Sequence, residues 1–195
     1  MIGLSAGSGL IVNYLGKFGN QALVSAGCCI CPAYNLATAF KTLRAQQPTL
    51  DEYILKCAKR RFIYPNAELL RSSYPEAYRK CCEAASLDEF IIANAECAGC
   101  KDVEDYYRHY DPGNNYSTIQ VPMLVLNSED DFVCLRENIR EDWFLGDGYD
   151  MGILLRTTRG AHVAFNESIF DFFSNYIHRV SLDFLDSSRH VLKTK

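Results

Sequence analysis

Residues 3–7 read Gly-Leu-Ser-Ala-Gly, and this Gly-x-Ser-x-Gly motif decides how the rest of the sequence is interpreted. The motif is typical of a strand that turns sharply into a helix and exposes the serine hydroxyl on the turn. Gly3 and Gly7 lack Cβ atoms, and we expect this to let the strand and the helix approach each other. Only Met1 and Ile2 precede the motif. Either the motif is accidental, or the chain is the carboxy-terminal part of a larger fold whose first half is missing.

Composition limits the class of protein. The 195 residues are 48% hydrophobic and 23% charged, which is ordinary for a globular chain. The net charge of −4, without a basic stripe, argues against a nucleic-acid partner. No apolar run is long enough to span a bilayer, and the apolar amino terminus lacks the positive start of a signal peptide. We expect an intracellular protein, either cytoplasmic or membrane-associated.

The nine cysteines indicate free thiols rather than a disulfide framework. Their number is odd, and the adjacent pairs Cys28-Cys29 and Cys81-Cys82 are poorly placed for bridges. Buried thiols in a reducing compartment fit better. Cys97 and Cys100 have CxxC spacing, but no second CxxC follows to complete a zinc site. The sequence predicts neither a metal nor an organic cofactor.

The apolar pattern predicts strands alternating with helices. Buried strands are predicted at residues 22–31, 121–127 and 152–158. Helices are predicted at residues 5–17, 134–143 and 169–185. Such alternation is typical of an α/β protein with a mostly parallel sheet. The middle of the chain is helical instead, with a Ser86-x-x-Glu89 helix start, so we assign residues 37–118 to an inserted helical cap. Residues 1–36 and 119–195 form the partial core.

Three kinds of polar side chain follow predicted strands. Ser5 lies in the opening motif, Asp130 and Asp131 come after the second long strand, and His162 comes after the third. Because parallel strands end at one edge of a sheet, we expect these groups to converge there. A serine, an acid and a histidine in that chain order are the members of a Ser-Asp-His triad. The spacing alone does not decide between the two carboxylates.

The chain resembles the YheT-like branch of the α/β-hydrolases, which contains lipid esterases, monoacylglycerol lipases and medium-chain acyl esterases. The matching motifs are residues 3–7, 14–16, 31–36, 87–90, 103–108, 122–131 and 160–165. They cover nearly the whole chain in order. The sequence departs from the pattern at Ser8-Gly9, where Gly-Asn is common, and at Phe132-Val133, which follow the acidic pair directly.

The resemblance implies a serine carboxylesterase or acylglycerol lipase that needs no cofactor and acts on short- to medium-chain acyl lipids. Ser5 would be the nucleophile, His162 the base and Asp131 the acid, with Asp130 as the alternative. The Ala6 backbone N–H would bind the oxyanion. The second oxyanion donor of the family comes from a loop before the motif, in the half that we expect to be missing.

Two other functions stay open at this point. The chain could be a catalytically impaired fragment or pseudo-enzyme of the same family, or an interaction module built on the helical cap. Apolar cap residues would either line an acyl tunnel or pack the cap helices together; these are Phe62, Tyr64, Leu69, Leu70, Phe90, Ile91 and Ile92. The expected partner is an acyl-ester lipid, with room for peripheral membrane contact, and the oligomeric state is left open.

Overall fold

The computed structural model describes residues 1–145, 151–166 and 176–193. The chain divides into two compact units. The first contains residues 1–35 and 111–195, and the second contains residues 36–110. Residues 111–118, which the sequence analysis assigns to the inserted cap, thus belong to the first unit. Tyr116 explains this boundary, because its buried ring stacks on Tyr34 at a centroid distance of 5.7 Å in the core of that unit.

A four-stranded parallel sheet organises the first unit. Its strands are β1 (Ile2–Leu4), β2 (Gly27–Ile30), β3 (Met123–Ser128) and β4 (Gly152–Thr157). They lie in the order β1-β2-β3-β4, and each neighbouring pair is parallel. All residues of β2 and β3 are buried, as a sheet covered on both faces requires. The predicted α/β class is confirmed.

Strand β2 is much shorter than the apolar run that predicts it. Residues 22–26 do not form a strand, and Leu23 is 95% exposed. The strand begins only at Gly27, which pairs with Met123 of β3. Apolar character in this run therefore reflects two different environments, and only its second half has strands on both sides to pair with.

Helix α1 (Ala6–Phe18) covers the sheet, and its start and end agree closely with the prediction. It buries Ile11, Val12 and Leu15 against Met123 and other residues of the sheet. Burying one such side chain contributes about 1.5–3 kcal/mol. This packing fixes the helix that begins directly after Ser5.

The crossover helix predicted over residues 134–143 is wrong. The chain forms two short 3₁₀ turns there, Arg136–Asn138 and Glu141–Trp143. At their junction Arg140 has φ −102° and ψ 75°, outside the helical region, and its guanidinium pairs with Asp142 two residues on. Local side-chain bonding here replaces the regular helical ladder.

The last helix, α8, extends over Tyr176–Lys193. The predicted helix over residues 169–185 is confirmed from Tyr176 onward and continues further than predicted. Its first part, with Phe170 and Phe173, lies outside the described residues. Ile177 is buried with Phe165 beneath the sheet residues Ile30 and Leu126.

The second unit is built from helices. They are α2 (Leu36–Gln46), α3 (Pro48–Ala58), α4 (Ala67–Ser73), α5 (Pro75–Glu83), α6 (Leu87–Asn94) and α7 (Val103–Tyr110), with a π-helical turn at Lys59–Ile63. Ser86 caps α6 as predicted, since its hydroxyl accepts a hydrogen bond from the Glu89 N–H. Leu70 and Phe90 are buried in the core of this unit, so they pack its helices together. Within the described residues, none of the helices is both long and apolar enough to cross a bilayer.

Candidate active site

Ser5 occupies a strained turn between β1 and α1. Its φ of 51° and ψ of −121° lie in a region that residues with a side chain rarely adopt. The turn is held because the Ser5 N–H donates to the Ile30 carbonyl at 2.8 Å. Strain of this kind persists only where the surroundings enforce it, and it concentrates at functional sites.

The two glycines of the motif have different roles. A Cβ on Gly3 would lie 2.5 Å from the Gly7 carbonyl oxygen and 2.8 Å from the Ile11 Cδ1, so Gly3 is required for the close approach of strand and helix. A Cβ on Gly7 would meet nothing within 4 Å. The expectation that both glycines serve this approach is therefore correct for Gly3 and wrong for Gly7.

Ser8 strengthens the same turn and was seen in the sequence only as a departure from the family pattern. Its hydroxyl lies 2.9 Å from the carbonyl oxygens of both Gly3 and Ile30. The residue is fully buried. It ties the first turn of α1 to the ends of β1 and β2, and so fixes the position of Ser5.

His162 lies between Ser5 and Asp131. Its Nε2 is 2.8 Å from the Ser5 Oγ, and its Nδ1 is 3.1 and 3.0 Å from the two Asp131 carboxylate oxygens. The imidazole is 16% exposed and the Asp131 side chain is fully buried. The structure thus brings together three of the residues that the sequence analysis selects, at the carboxyl ends of β1, β3 and β4. Their order of contact is serine, histidine and carboxylate.

The Asp131 carboxylate is oriented by the backbone that follows it. Its Oδ1 accepts hydrogen bonds from the N–H groups of Val133 and Cys134, at 2.7 and 2.8 Å. A buried carboxylate with two backbone donors is satisfied and held in one orientation. This leaves it placed to accept the Nδ1 proton of His162.

The Asp130 carboxylate has different hydrogen-bond partners from Asp131. Its Oδ1 accepts from the Ser128 hydroxyl and, at 2.8 Å, from the Ala161 N–H. These bonds, led by that from Ser128, lower the pKa of the Asp130 carboxyl. Ala161 has a φ of 45° and precedes His162, so Asp130 supports the strained loop that carries the imidazole.

Gly160 and the ring of Phe165 pack against each other in the loop that carries His162. A Cβ on Gly160 would lie 2.4 Å from two carbons of the Phe165 ring. Phe165 is itself buried with Ile30 and Cys31. The Gly-x-His spacing of this loop thus has a steric reason, because Phe165 fills the space that a larger residue at position 160 would need.

Cys31 is a neighbour of the site that the sequence analysis did not select. It follows β2, is fully buried, and adopts a φ of 50°. One ligand atom each of Cys31, Asp131 and His162 lies within 4.8 Å of the others. Burial, and then the nearby Asp131 charge, raise the pKa of the Cys31 thiol to about 12, so the thiol is neutral near pH 7. In the sequence, Cys31 and Pro32 belong to a motif of the family resemblance. That motif did not indicate that the Cys31 thiol lies near Asp131 and His162.

Ala6, whose N–H is predicted to bind the oxyanion, directly follows Ser5, and that role stays a prediction. It is the first residue of α1, so its N–H belongs to the group that has no partner within the helix. The positive end of the helix dipole lies at the same point.

The parallel sheet, the serine on a strand-to-helix turn, and the acid and histidine after later strands together define the α/β-hydrolase fold. The described chain has this fold. A solved structure supports the assignment: the monoacylglycerol lipase of Paleococcus ferrophilus superposes with a TM-score of 0.51 at 16% sequence identity, over 96% of this chain and 67% of that one.

Sequence comparison gives relatives of the same class. The bovine (Bos taurus) protein named phospholipase ABHD3 is 24% identical over 188 residues, which are 95% of this chain and 44% of the relative. Protein abhd-3.2 of Caenorhabditis elegans is 28% identical over 171 residues, which are 85% of this chain and 44% of the relative. The chain thus spans less than half the length of these curated relatives. No protein-family model matches the sequence.

Proposed function

We propose that this chain carries the reacting residues of a serine hydrolase that cleaves carboxylic esters of short- to medium-chain acyl lipids. The observation that carries the proposal is the continuous hydrogen-bonded line from Ser5 through His162 to Asp131. The resemblance to YheT-like hydrolases, the relatives named phospholipase and the structural neighbour named monoacylglycerol lipase support a lipid ester as the substrate.

In the proposed reaction His162 acts as the base. Its Nε2 takes the proton of the Ser5 hydroxyl while Oγ attacks the ester carbonyl carbon. Asp131 accepts a hydrogen bond from Nδ1–H, which keeps Nε2 free to receive that proton and stabilises the imidazolium that forms. The tetrahedral oxyanion is held by the Ala6 N–H at the start of α1.

The intermediate then collapses. The bond from carbon to the alcohol oxygen breaks, and the leaving alkoxide takes its proton from His162, which leaves an acyl group on Ser5. Water, activated by the same imidazole, attacks the acyl-enzyme and restores the serine. The Ala6 N–H contributes to the proposed rate, since removing one donor from such a hole costs about 10²–10³ in rate.

The test uses a fluorophosphonate probe, which reacts with activated serines. We expect one adduct per chain, on Ser5, and no adduct in Ser5→Ala or His162→Ala. The control is Ser25→Ala, which removes an exposed serine of the same unit. We expect labelling of that variant to equal that of the wild-type chain. An adduct that survives Ser5→Ala would contradict the assignment of the nucleophile.

Turnover separates the proposal from the fragment or pseudo-enzyme interpretation. Hydrolysis of a short-chain p-nitrophenyl ester, a monoacylglycerol and a phosphatidylcholine of short acyl chains is measured with the wild-type chain and with Ser5→Ala. Ser5-dependent release of fatty acid from either lipid supports the proposed activity. Labelling without turnover of any ester would favour a chain that has an activated serine but an impaired reaction.

A further inference from the structure

A second group of ligand-bearing side chains lies in the helical unit and includes Cys100, the second cysteine of the CxxC pair. Cys100, Asp105 and His109 each offer one ligand atom, and these three atoms all lie within 4.8 Å of one another. Sulfur, carboxylate oxygen and imidazole nitrogen are the three donor types that zinc uses in proteins. Such a set in one place calls for a physical account.

The local fold brings the three residues together. Gly99, with a φ of 78°, turns the chain after α6, and the Cys100 N–H donates to the Ala95 carbonyl at 3.0 Å. Asp105 and His109 are four residues apart on α7, so they lie on the same face of that helix. His109 Nδ1 is 3.2 Å from Asp105 Oδ1 and 2.8 Å from the Asp105 backbone carbonyl oxygen. An ion that binds at Nδ1 therefore displaces the hydrogen bond to that carbonyl.

Burial and charge suit a cation that arrives from solvent. Cys100 is buried, while the Asp105 and His109 side chains are 20% and 60% exposed. The Lys101 N–H, which donates to the Asp105 carboxylate, is the first cause of a lowered pKa of that carboxyl, so Asp105 is anionic near neutral pH. It already attracts the Arg108 guanidinium, which lies 3.1 Å from its Oδ1.

We propose that Cys100, Asp105 and His109 form a zinc site, with water as the fourth ligand. Three protein ligands and one water complete the tetrahedral coordination that zinc prefers. Arg108 must leave the Asp105 oxygen when the cation binds. The Cys100 S–H bond breaks, its proton goes to solvent, and a sulfur–zinc bond forms, with no change in oxidation state.

The CxxC spacing points to a different cysteine from the one that the structure uses. Cys97 packs against the apolar core of the helical unit and is outside the group of three. The second and third ligands come instead from a helix that begins after Cys100. A Cys-x₄-Asp-x₃-His pattern, rather than CxxC, is the sequence signal for this site.

The test is equilibrium dialysis of the full chain against Zn²⁺, with Co²⁺ as a spectroscopic probe of thiolate ligation. We expect wild-type protein to bind zinc at this site and to show a sulfur-to-cobalt charge-transfer band. Cys100→Ser and His109→Gln should each weaken this binding at least about tenfold and remove or alter the band. Arg108→Gln should strengthen binding, because it removes a competitor for the Asp105 oxygen.

Two matched controls keep the test specific. Cys97→Ser changes the other CxxC cysteine, and Cys31→Ser changes the other described group of three ligand atoms. Both should leave binding unchanged. His109→Gln is the decisive variant if Cys100→Ser unfolds the chain, because His109 is largely exposed. Unchanged zinc binding in folded His109→Gln, or loss of the charge-transfer band in Cys97→Ser or Cys31→Ser, would overturn the site.

Discussion

The two units of this chain keep their polar groups in different places. In the described part of the sheet unit, eight polar or charged residues are buried, and four residues other than glycine have positive φ. In the helical unit only Asp51 and Ser86 are buried polar residues, and the described positive φ belongs to Gly99. Several ion pairs there, such as that of Arg79 with Glu83, are exposed, whereas the Asp51 carboxylate that faces Arg44 is buried.

The difference shows what each unit is built to do. In the sheet unit, strained backbone and buried hydrogen bonds hold a serine, a histidine and a carboxylate in contact. Its polar groups are paired across distant parts of the chain, as Ser5 and His162 are. The helical unit is held mainly by apolar contacts and by bonds along its helices, with a few bonds between distant segments, such as that from the Leu87 N–H to Asp51. We expect substitutions to have large, specific effects in the first unit and small, local effects in the second.

The largest expected effect is on ester hydrolysis, and it should distinguish the adjacent carboxylates Asp130 and Asp131. Asp131→Asn should lower kcat/KM of the proposed esterase about 10⁴-fold, because the amide cannot hold the imidazole in the required tautomer. Asp130→Asn should cost far less, since its carboxylate contacts the Ala161 N–H and the Ser128 hydroxyl rather than the imidazole. Ester hydrolysis by both purified variants is the measurement. Equal losses would contradict the separate roles.

The second largest difference between the two units should be in the reactivity of their cysteines. Burial raises the pKa of Cys31 from 9.0 to about 12, which lowers its thiolate fraction about 10³-fold near pH 8. Cys57 and Cys82 of the helical unit are partly exposed. Native alkylation with iodoacetamide, followed by peptide mass spectrometry, should label these two first. Early labelling of Cys31 would contradict its burial, and labelling in urea provides the control for intrinsic reactivity.

The two glycines of the serine motif should differ in stability. Gly3→Ala should destabilise the sheet unit by about 1–3 kcal/mol, because the new Cβ meets the Gly7 carbonyl and Ile11. Gly7→Ala should be neutral or stabilising by up to about 1 kcal/mol, since space is open and alanine favours the helix. The fluorescence of Trp143, the single tryptophan, reports urea unfolding of this unit. A destabilised Gly7→Ala would show that the motif is more crowded than the geometry indicates.

The smallest effects are expected on the surface of the helical unit. Arg79→Gln removes exposed pairs with Glu76 and Glu83 and should leave the unfolding midpoint unchanged within replicate scatter. Asp51→Asn is the contrasting variant, because the buried carboxylate accepts from the Leu87 N–H at 3.2 Å and faces Arg44. It should cost about 1–2 kcal/mol. Far-UV circular dichroism in urea measures both, and equal midpoints would remove the contrast.

Helices and strands that follow a regular apolar pattern could be predicted from the sequence. Features that depend on single side chains or on strand pairing could not. Helix α1 and strand β3 are close to their predicted ranges, because long apolar patterns meet one consistent environment. The predicted crossover helix failed, since Arg140 leaves the helical region and bonds Asp142 locally. The predicted range of β2 was too long for another reason. Strand length depends on where the neighbouring strands pair, and composition does not encode this.

The site shows the same division. Chain order and strand ends were enough to select Ser5, His162 and the Asp130-Asp131 pair. The pairing of Asp131 with the imidazole, and the position of the Cys31 thiol near both, depend on which way side chains point after a strand ends. Asp130 lies in the turn after β3 rather than in the strand, so the regular alternation of strand side chains does not predict which carboxylate faces the imidazole.

By itself the sequence determined the parallel sheet, the inserted helical stretch and the residue types that converge at one sheet edge, because these follow from periodicity and chain order. Only the tertiary structure decided which carboxylate contacts the histidine, which glycine is sterically required, and which cysteines gather with Asp105 and His109 or with Asp131 and His162. Those outcomes depend on distances between segments far apart in sequence or on the direction of single side chains. Packing fixes such quantities, and a linear pattern does not contain them.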